Sequence, residues 1–260
     1  MSRIACKFGG TSVADAQQFR KVKSIVAADP RRSIVVPSAP GKRAPSEVKV
    51  TDLLYLCHRM AAMNADYAGP FGMIRNRFLE IERELGLKTP LGRALDDFWE
   101  ELGRGCTRDY TASRGEYLNG LLLAAYLDAE FVDPAEYVEI TPGGRVDPKT
   151  YGGLSARFSD RTRRYVLPGF YGRDHRGQIK TFSRGGSDIS GAIAARSANA
   201  ELYENWTDVS GLLMADPHVV PNPAPMSEVT YREIRELSYM GAAVFHDEAI
   251  LPVREVGIPI

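Results

Sequence analysis

The hydrophobic pattern at the start of the chain changes its period twice. Residues 3–8 and 33–38 are short runs rich in branched apolar side chains, which predicts two strands. Between them, residues 14–28 place apolar side chains such as Phe19 and Val22 at helical spacing. A strand, a helix and a second strand form the unit from which parallel sheets are built.

The middle of the chain has the pattern of consecutive helices. A helix is predicted to open at Thr51, which is well placed as its N-cap. Residues 59–110 predict a wholly helical excursion from the sheet, with breaks at Gly69-Pro70 and at residues 89–92. Helix continues through the stretch SRGEYLNGLLLAAYL, residues 113–127.

The remainder of the chain alternates strands and helices again. The patterns predict a strand at 129–133, two strands within 164–182 joined by a polar turn, a helix at 187–198, a strand at 201–208 and a helix at 226–238 capped by Ser227. This alternation predicts an α/β fold with a largely parallel sheet. A length of 260 residues suits one domain with two lobes.

Composition excludes several classes of function. Lys plus Arg and Asp plus Glu number 33 each, so the net charge is zero and nothing attracts nucleic acid or an anionic membrane. No signal peptide opens the sequence, and no apolar run approaches the ~18 residues of a membrane span, so we expect a cytoplasmic protein. Cys6, Cys57 and Cys106 lack the spacing of a metal or redox site and are interpreted as reduced structural residues.

The stretch KFGGTS carries chemistry at the end of the first strand. Lys7 lies among apolar residues, and a buried ammonium requires a neighbouring anion. Gly9 and Gly10 let backbone N–H groups approach a ligand, and Thr11 and Ser12 offer hydroxyls where a helix begins. These features predict a phosphate site, although the stretch is not a P-loop. The alternative is a tight turn with Lys7 in a structural ion pair.

The stretch SRGGSD repeats this arrangement after a later strand. Arg184 precedes two glycines and can bind a carboxylate in bidentate fashion, while Ser187 and Asp188 begin a helix. Asp188 alone would equally suit a structural role at the positive end of the helix dipole. Since both glycine pairs follow strands, they are expected at the edge where open α/β sheets bind ligands.

Other polar residues are ambiguous by local chemistry. Glu116 lies on a helix, where an acidic residue is usually a solvated surface group. Thr207 and Asp208 end a strand, which suits a nucleotide contact or a hydrogen-bonded turn. The four histidines show no metal-binding spacing and no metal ligand is assigned.

The order of these motifs resembles that of the aspartate kinases, within the amino-acid kinase superfamily. The resemblance rests on KFGGTSVAD, VTDLL, SRGEYLNGLLLAAYL, PGFYG, SRGGSD, WTDVSGLLMADPHVV and ELSYMGA. It implies a three-layer α/β/α sandwich with an amino-acid-binding lobe at about 1–175, including the helical excursion, and a nucleotide-binding lobe at about 176–260. The implied reaction moves the γ-phosphoryl of MgATP to the β-carboxylate of L-aspartate, giving 4-phospho-L-aspartate for lysine, threonine and methionine synthesis.

The resemblance also implies a role for each site residue. Lys7 would stabilise charge on the transferring phosphoryl group, and Asp188 would orient Lys7 and the metal-bound phosphates. The phosphates and nucleotide would be contacted by Gly9, Gly10, Ser38, Thr207 and Asp208. Aspartate would be held by Thr51, Glu116, Phe170, Arg184 and Ser187, with Arg184 on a carboxylate and Glu116 on the α-ammonium. Mg²⁺ would be held mainly through ATP.

Three positions depart from the family pattern. Many members have tyrosine at Leu213, arginine at His218 and lysine at Ala243, the last two being cations on the nucleotide side. We hypothesise that cations in the loop after Ser38 supply the missing charge: Lys42, Arg43 or Lys49.

The resemblance leaves assembly and two other functions open. Family members continue into regulatory ACT domains, which these residues do not include; the last residues, VGIPI, predict the start of a final strand. A homodimer is expected, and either the sequence is truncated before a regulatory region or regulation is supplied elsewhere. The alternatives are a related kinase for glutamate, acetylglutamate, carbamate or a nucleoside monophosphate, and a non-catalytic fragment that binds ligand or serves assembly.

Overall fold

A computed structural model describes residues 2–183, 185–208, 211–216, 219–239 and 247–260. Arg184, His218 and Ala243 lie outside these residues. The strands are β1 (Ile4–Phe8), β2 (Arg32–Pro37), β3 (Glu130–Phe131), β4 (Tyr165–Val166), β5 (Tyr171–Arg173), β6 (Ile179–Thr181) and β7 (Leu202–Trp206). The helices are α1 (Ala16–Ala28), α2 (Val50–Ala62), α3 (Ala68–Glu84), α4 (Leu91–Gly103), α5 (Arg108–Leu127), α6 (Pro134–Tyr137), α7 (Lys149–Arg157), α8 (Gly186–Ser197), α9 (Tyr231–Tyr239) and α10 (Asp247–Arg254).

Five strands form a parallel sheet in the order β3-β4-β2-β1-β7. The predicted α/β fold with a parallel sheet is therefore confirmed. Strands β5 and β6 form a separate antiparallel hairpin. None of the helices in the described ranges combines the length and the apolar character needed to cross a bilayer.

The alternating side chains of β1 divide the molecule into three layers. Ile4, Cys6 and Phe8 belong to a core shared with α1 to α5, whereas Ala5 belongs to a second core that includes side chains of α7, α8 and α10. A strand that is covered on both faces has a nearly continuous apolar sequence, and the sequence of β1 has this character. Lys7 follows the alternation of Ala5, so it points toward the α8 layer.

The helical excursion packs over one face of the sheet, but its first break differs from the prediction. The chain leaves α2 at Ala62, and Gly69-Pro70 lies inside the first turn of α3. Proline is tolerated there because the first N–H groups of a helix have no acceptor within it. The first break is therefore at residues 63–67, the second spans residues 85–90, and a third break at residues 104–107 was not predicted.

Both predicted helix caps are wrong by a few residues. Helix α2 begins at Val50 after Lys49, so Thr51 lies within the first turn. At α9 the cap is Thr230: its hydroxyl accepts from Glu233 N at 3.2 Å, and the Glu233 carboxylate accepts from Thr230 N at 2.7 Å. This reciprocal pair is a capping box, which satisfies two backbone donors.

Two strand predictions also need correction. The segment 164–182 contains three strands, because β4 joins the main sheet and only β5 and β6 form the hairpin around residues 174–178. The last residues form no assigned strand, although Tyr203 N on β7 donates to Pro259 O at 2.9 Å. Proline cannot donate to a strand ladder, which weakens strand pairing at this position.

Candidate active site

The candidate site lies where β1, β2 and β7 end side by side. Gly9 N donates to Trp206 O at 3.1 Å, and Ser38 N donates to Phe8 O at 3.1 Å, so the three loops are hydrogen-bonded to one another. Helix α8 begins over the same edge. The carboxyl ends of these strands thus lie at one edge of the sheet and border one crevice. The first glycine pair follows β1 as predicted, whereas the second follows β6 of the hairpin and is brought to this edge by α8.

Lys7 and Asp188 form an ion pair across the layers. Lys7 is 8% exposed, and its Nζ lies 2.7 Å from Asp188 Oδ1, in the first turn of α8. Asn205 Nδ2 donates to the same oxygen at 3.2 Å from β7, where Asn205 stands in register with Lys7. The Asp188 side chain keeps 28% of its surface exposed. Its carboxylate is therefore fixed on one side and reachable from the crevice on the other.

Tyr203 holds the start of α8 against β7. Its hydroxyl donates to Asp188 O at 3.0 Å, and the ring is fully buried. A Cβ added at Gly191 would lie 2.7 Å from two ring carbons, so only glycine lets the helix approach this closely. Sequence reasoning missed both Tyr203 and Asn205, although their spacing on a strand puts them on the same face.

The first glycine loop owes its shape to close packing. Gly9 has an extended backbone with φ −66°, a conformation that other residues also adopt. A Cβ at Gly9 would lie 3.7 Å from Lys7 Nζ, in space beside the ammonium. The predicted helix at Thr11 and Ser12 is a single 3₁₀ turn, Gly10–Val13, and α1 begins later with Asp15 as its cap.

Gly41 is a site residue that sequence reasoning missed. Its N–H donates to Gly10 O at 2.8 Å, and a Cβ there would lie 2.6 to 2.8 Å from backbone atoms of Gly10 and Thr11. Buried Arg77 braces this contact by donating to Gly41 O at 3.2 Å and pairing with Glu47. The two loops therefore touch backbone to backbone.

Replacing Gly41 with alanine is expected to destabilise the fold by about 1–3 kcal/mol, because the backbone atoms around it cannot move aside independently. Gly72→Ala is the matched control. Nothing lies within 4 Å of its added Cβ in α3, so the free energy of unfolding of this variant should equal or exceed that of the wild type. Urea denaturation of both variants measures the difference. Equal stability of Gly41→Ala and the wild type would contradict the close packing.

The second glycine loop packs against the turn before β5. Phe170 has a φ of +79°, which is unusual for a residue other than glycine. Its N–H donates to Ser190 Oγ at 2.9 Å, and a Cβ at Gly169 would lie 2.8 Å from Ser187 Oγ. Phe170 and Ser187 are thereby brought together at the start of α8. Strained backbone of this kind concentrates at ligand sites.

Glu116 is not a solvated surface group. It is 5% exposed on α5, and the Ala39 N–H donates to its carboxylate, while Oε2 is buried with no hydrogen-bond partner. Burial raises the pKa of Glu116 to about 8. An orphaned buried acceptor costs folding free energy, so its presence indicates a site that expects a donor from outside.

The remaining predicted residues are less constrained. Thr51 is half-buried in the first turn of α2. Thr207 and Asp208 are exposed after β7, and Thr207 Oγ1 donates to Asp208 Oδ1 at 3.1 Å, which fits either earlier interpretation. Arg184, the predicted carboxylate ligand, lies outside the described residues.

Two of the three loop cations already have partners. Arg43 forms ion pairs with Glu47 and Glu80, both at 2.7 Å, and Lys42 Nζ donates to Pro45 O at 3.2 Å. Lys49 is exposed next to α2. Their proposed substitution for the missing cations stays a hypothesis, and the ion pairs of Arg43 speak against that residue.

Comparison with known proteins agrees with this geometry. The profile of the amino acid kinase family matches residues 2–260. Aspartokinase 3 of Bacillus subtilis is 40% identical over 98% of this chain and 59% of its own length. The crystal structure of Clostridium acetobutylicum aspartate kinase superposes with a TM-score of 0.94 at 46% identity, covering 99% of this chain and 59% of that one.

A second solved structure, E. coli aspartokinase III in complex with aspartate and ADP, has a TM-score of 0.80 at 26% identity over 97% of this chain and 60% of that chain. The present chain thus spans about three fifths of the length of these relatives. The profile match extends from residue 2 to residue 260, over both glycine loops and the whole sheet. The chain belongs to the amino acid kinase family.

Proposed function

We propose that the chain is the catalytic region of an aspartate kinase, transferring the γ-phosphoryl group of ATP to the β-carboxylate of L-aspartate. The observation that carries this proposal is the pairing of two unlike ends of one crevice. One end holds the cation Lys7 beside Asp188; the other holds the buried, unpaired acceptor Glu116. The loop after β2 borders both, since Ser38 N donates to Phe8 O and the Ala39 N–H donates to Glu116.

These two ends suit a substrate with a free ammonium at one position and a reacting carboxylate at another. The relatives named above are aspartate kinases, and the E. coli structure holds aspartate and ADP. The roles proposed for the remaining residues follow from position. Phosphates and nucleotide are assigned to Gly9, Gly10, Ser38, Thr207 and Asp208; aspartate is assigned to Thr51, Glu116, Phe170, Ser187 and Arg184.

Catalysis in this proposal rests on position and charge. The acceptor carboxylate is ionised at neutral pH, so the reaction needs no general base. Lys7 places a positive charge at the phosphoryl group in transfer, where negative charge shifts between oxygens. Asp188 and Asn205 keep the ammonium of Lys7 from rotating away from that point. Gly9 leaves open the space beside Lys7 Nζ that the phosphoryl group would occupy.

Mg²⁺ fits this site as a partner of ATP. Among the described residues, no group of three or more His, Cys, Asp and Glu side chains is placed to hold a metal ion. Mg²⁺ requires few protein ligands when phosphates and water complete its octahedral shell, and Asp188 offers it a partly exposed carboxylate. When bound, the ion would neutralise phosphate charge.

The test is ATP turnover with a panel of acceptors: L-aspartate, L-glutamate, N-acetyl-L-glutamate, carbamate and UMP. We expect the highest kcat/KM with L-aspartate, measured as ADP release. A higher kcat/KM with another acceptor would assign the chain to a different kinase. Aspartate binding in calorimetry without turnover would support the non-catalytic alternative.

Four expectations from the sequence stay predictions: the division into two lobes, the homodimer, the regulatory region and the cytoplasmic location.

A further inference from the structure

Helix α5 carries two orphaned acceptors on one face. Glu116 Oε2 and Asn119 Oδ1 are both buried without a hydrogen-bond partner. Residues three apart on a helix are neighbours, so these two side chains stand together one turn apart. Buried polar atoms without partners are uncommon, and two adjacent acceptors indicate one missing donor group.

The orientation of Asn119 is fixed by its other end. The side chain is fully buried, and Nδ2 donates to Ser38 O at 2.7 Å. Turning the amide over would break this bond and place two carbonyl oxygens against each other. Oδ1 therefore stays an acceptor with an open lone pair.

Both side chains are hydrogen-bonded to consecutive residues of the loop after β2. Asn119 donates to Ser38 O, and Glu116 accepts from the Ala39 N–H. Close contacts hold α5 in this position: a Cβ at Gly115 would lie 2.8 Å from Ala39 Cβ, and one at Gly120 would lie 3.3 Å from Pro168 Cβ. The face of α5 is thus clamped between the loops that follow β2 and β4, at the edge of the sheet that forms the crevice.

The chemistry that satisfies this pair is a group with several donors and a positive charge. A primary ammonium has three N–H donors and neutralises a carboxylate. A water molecule can donate to both oxygens but brings no positive charge, so it cannot stabilise the ionised form of this buried carboxyl. An N-acylated amino group has one N–H and leaves one of the two acceptors orphaned.

We propose that Asn119 is a specificity-determining residue whose Oδ1 accepts a second hydrogen bond from the α-ammonium of the substrate, beside Glu116. This inference rests on the proposed function, because it names a further contact to the same amino acid. The pair selects acceptors with a free amino group over dicarboxylates that lack one, such as succinate.

The experiment compares L-aspartate with succinate in the wild type and in Asn119→Leu and Asn119→Ala. The leucine variant keeps the approximate volume of the side chain. The alanine variant is smaller, so it reports the same loss of the amide if leucine packs poorly at this position. We expect the succinate-to-aspartate ratio of dissociation constants, measured by calorimetry, to fall about tenfold or more in both variants, since a hydrogen bond from a charged donor to L-aspartate is lost. In kinetics the KM for L-aspartate should rise by a larger factor than the KM for ATP, since both variants also lose the hydrogen bond to Ser38 O.

Leu122→Val is the matched control, because Leu122 is buried in the apolar core on the next turn of α5. A structural defect in α5 weakens both ligands alike, so this variant should keep the wild-type ratio. An unchanged ratio of dissociation constants in the Asn119 variants would overturn the inference. Asn119 would then bind only water or only the Ser38 carbonyl. If L-aspartate binds with the expected ratios but is not phosphorylated, the proposed reaction fails and the role of Asn119 stands.

Discussion

Replacing Lys7 with methionine is expected to lower kcat by about 10²–10³-fold, the usual cost of removing one donor aimed at charge in the transition state. Methionine keeps most of the length of the side chain and removes only its charge and hydrogen bonds. Asp188 loses its partner, but its side chain is 28% exposed and retains the bond from Asn205 Nδ2. Water can therefore solvate the carboxylate, and the variant should remain folded.

Lys23→Met is the matched control for charge removal. Lys23 is an exposed lysine of α1 whose Nζ donates to Tyr126 O at 2.9 Å, away from the crevice. We expect its kcat to equal that of the wild type. Steady-state ADP release at saturating ATP and L-aspartate measures both variants. A kcat for Lys7→Met within a few-fold of the wild-type value would show that the Lys7–Asp188 pair has only a structural role.

Replacing Glu116 with glutamine is expected to raise the KM for L-aspartate by about 100-fold, because a charged acceptor buried beside the ammonium is lost. The wild type should show the same dependence through pH. Burial raises the pKa of Glu116 to about 8, so the free protein holds this carboxyl protonated in neutral solution. Binding an ammonium requires loss of that proton. The KM for L-aspartate should fall about tenfold per pH unit as the pH rises toward 8 and level off above it.

The unfolding free energy should fall as the pH rises, whereas the affinity for L-aspartate rises. The pKa of Glu116 rises from 4.5 in the unfolded chain to about 8 in the fold, so the folded state binds the extra proton between these values. This contribution to the unfolding free energy is complete below pH 4.5 and is lost as the pH rises through about 8. Glu116→Gln should remove this dependence and lose no stability above pH 8.

Glu136→Gln serves as the control for both readouts, because Glu136 is exposed on α6. It should keep the wild-type KM and the wild-type dependence of stability on pH. Measurements of KM and urea stability between about pH 6 and pH 9 cover the expected transition. A KM for L-aspartate that is independent of pH and insensitive to Glu116→Gln would remove Glu116 from the substrate site.

The sequence predicted the parts of the site that depend on local chemistry. Lys7 stood out because a charge within an apolar strand needs an anion, and Asp188 was a natural partner at a helix start beside glycines. Glu116 could not be recognised in this way, because helix α5 is buried on nearly every side and shows no polar face that distinguishes a solvated position. Only the resemblance to a family assigned it a ligand.

The parts that the sequence did not predict depend on register and on contact between distant loops. Asn205 reaches Asp188 because β7 pairs with β1 in a register that aligns it with Lys7, and residue spacing does not encode that alignment. Gly41 matters because its backbone touches Gly10 across a gap of thirty residues. The misplaced caps have a similar origin. At α9 packing selects Thr230 rather than Ser227, and at α2 the N-cap position falls on Lys49, whose side chain makes no capping hydrogen bond.

The most direct measurement of the central claim is hydroxylamine trapping of the acyl phosphate formed from ATP and L-aspartate. Hydroxylamine converts an acyl phosphate into a hydroxamate, and mass spectrometry with fragmentation distinguishes the β-hydroxamate from the α-isomer. We expect the wild-type protein to give aspartate β-hydroxamate in step with ADP release and Lys7→Met to give almost none. ADP release without hydroxamate, or equal hydroxamate from both proteins, would contradict phosphoryl transfer to the β-carboxylate at Lys7.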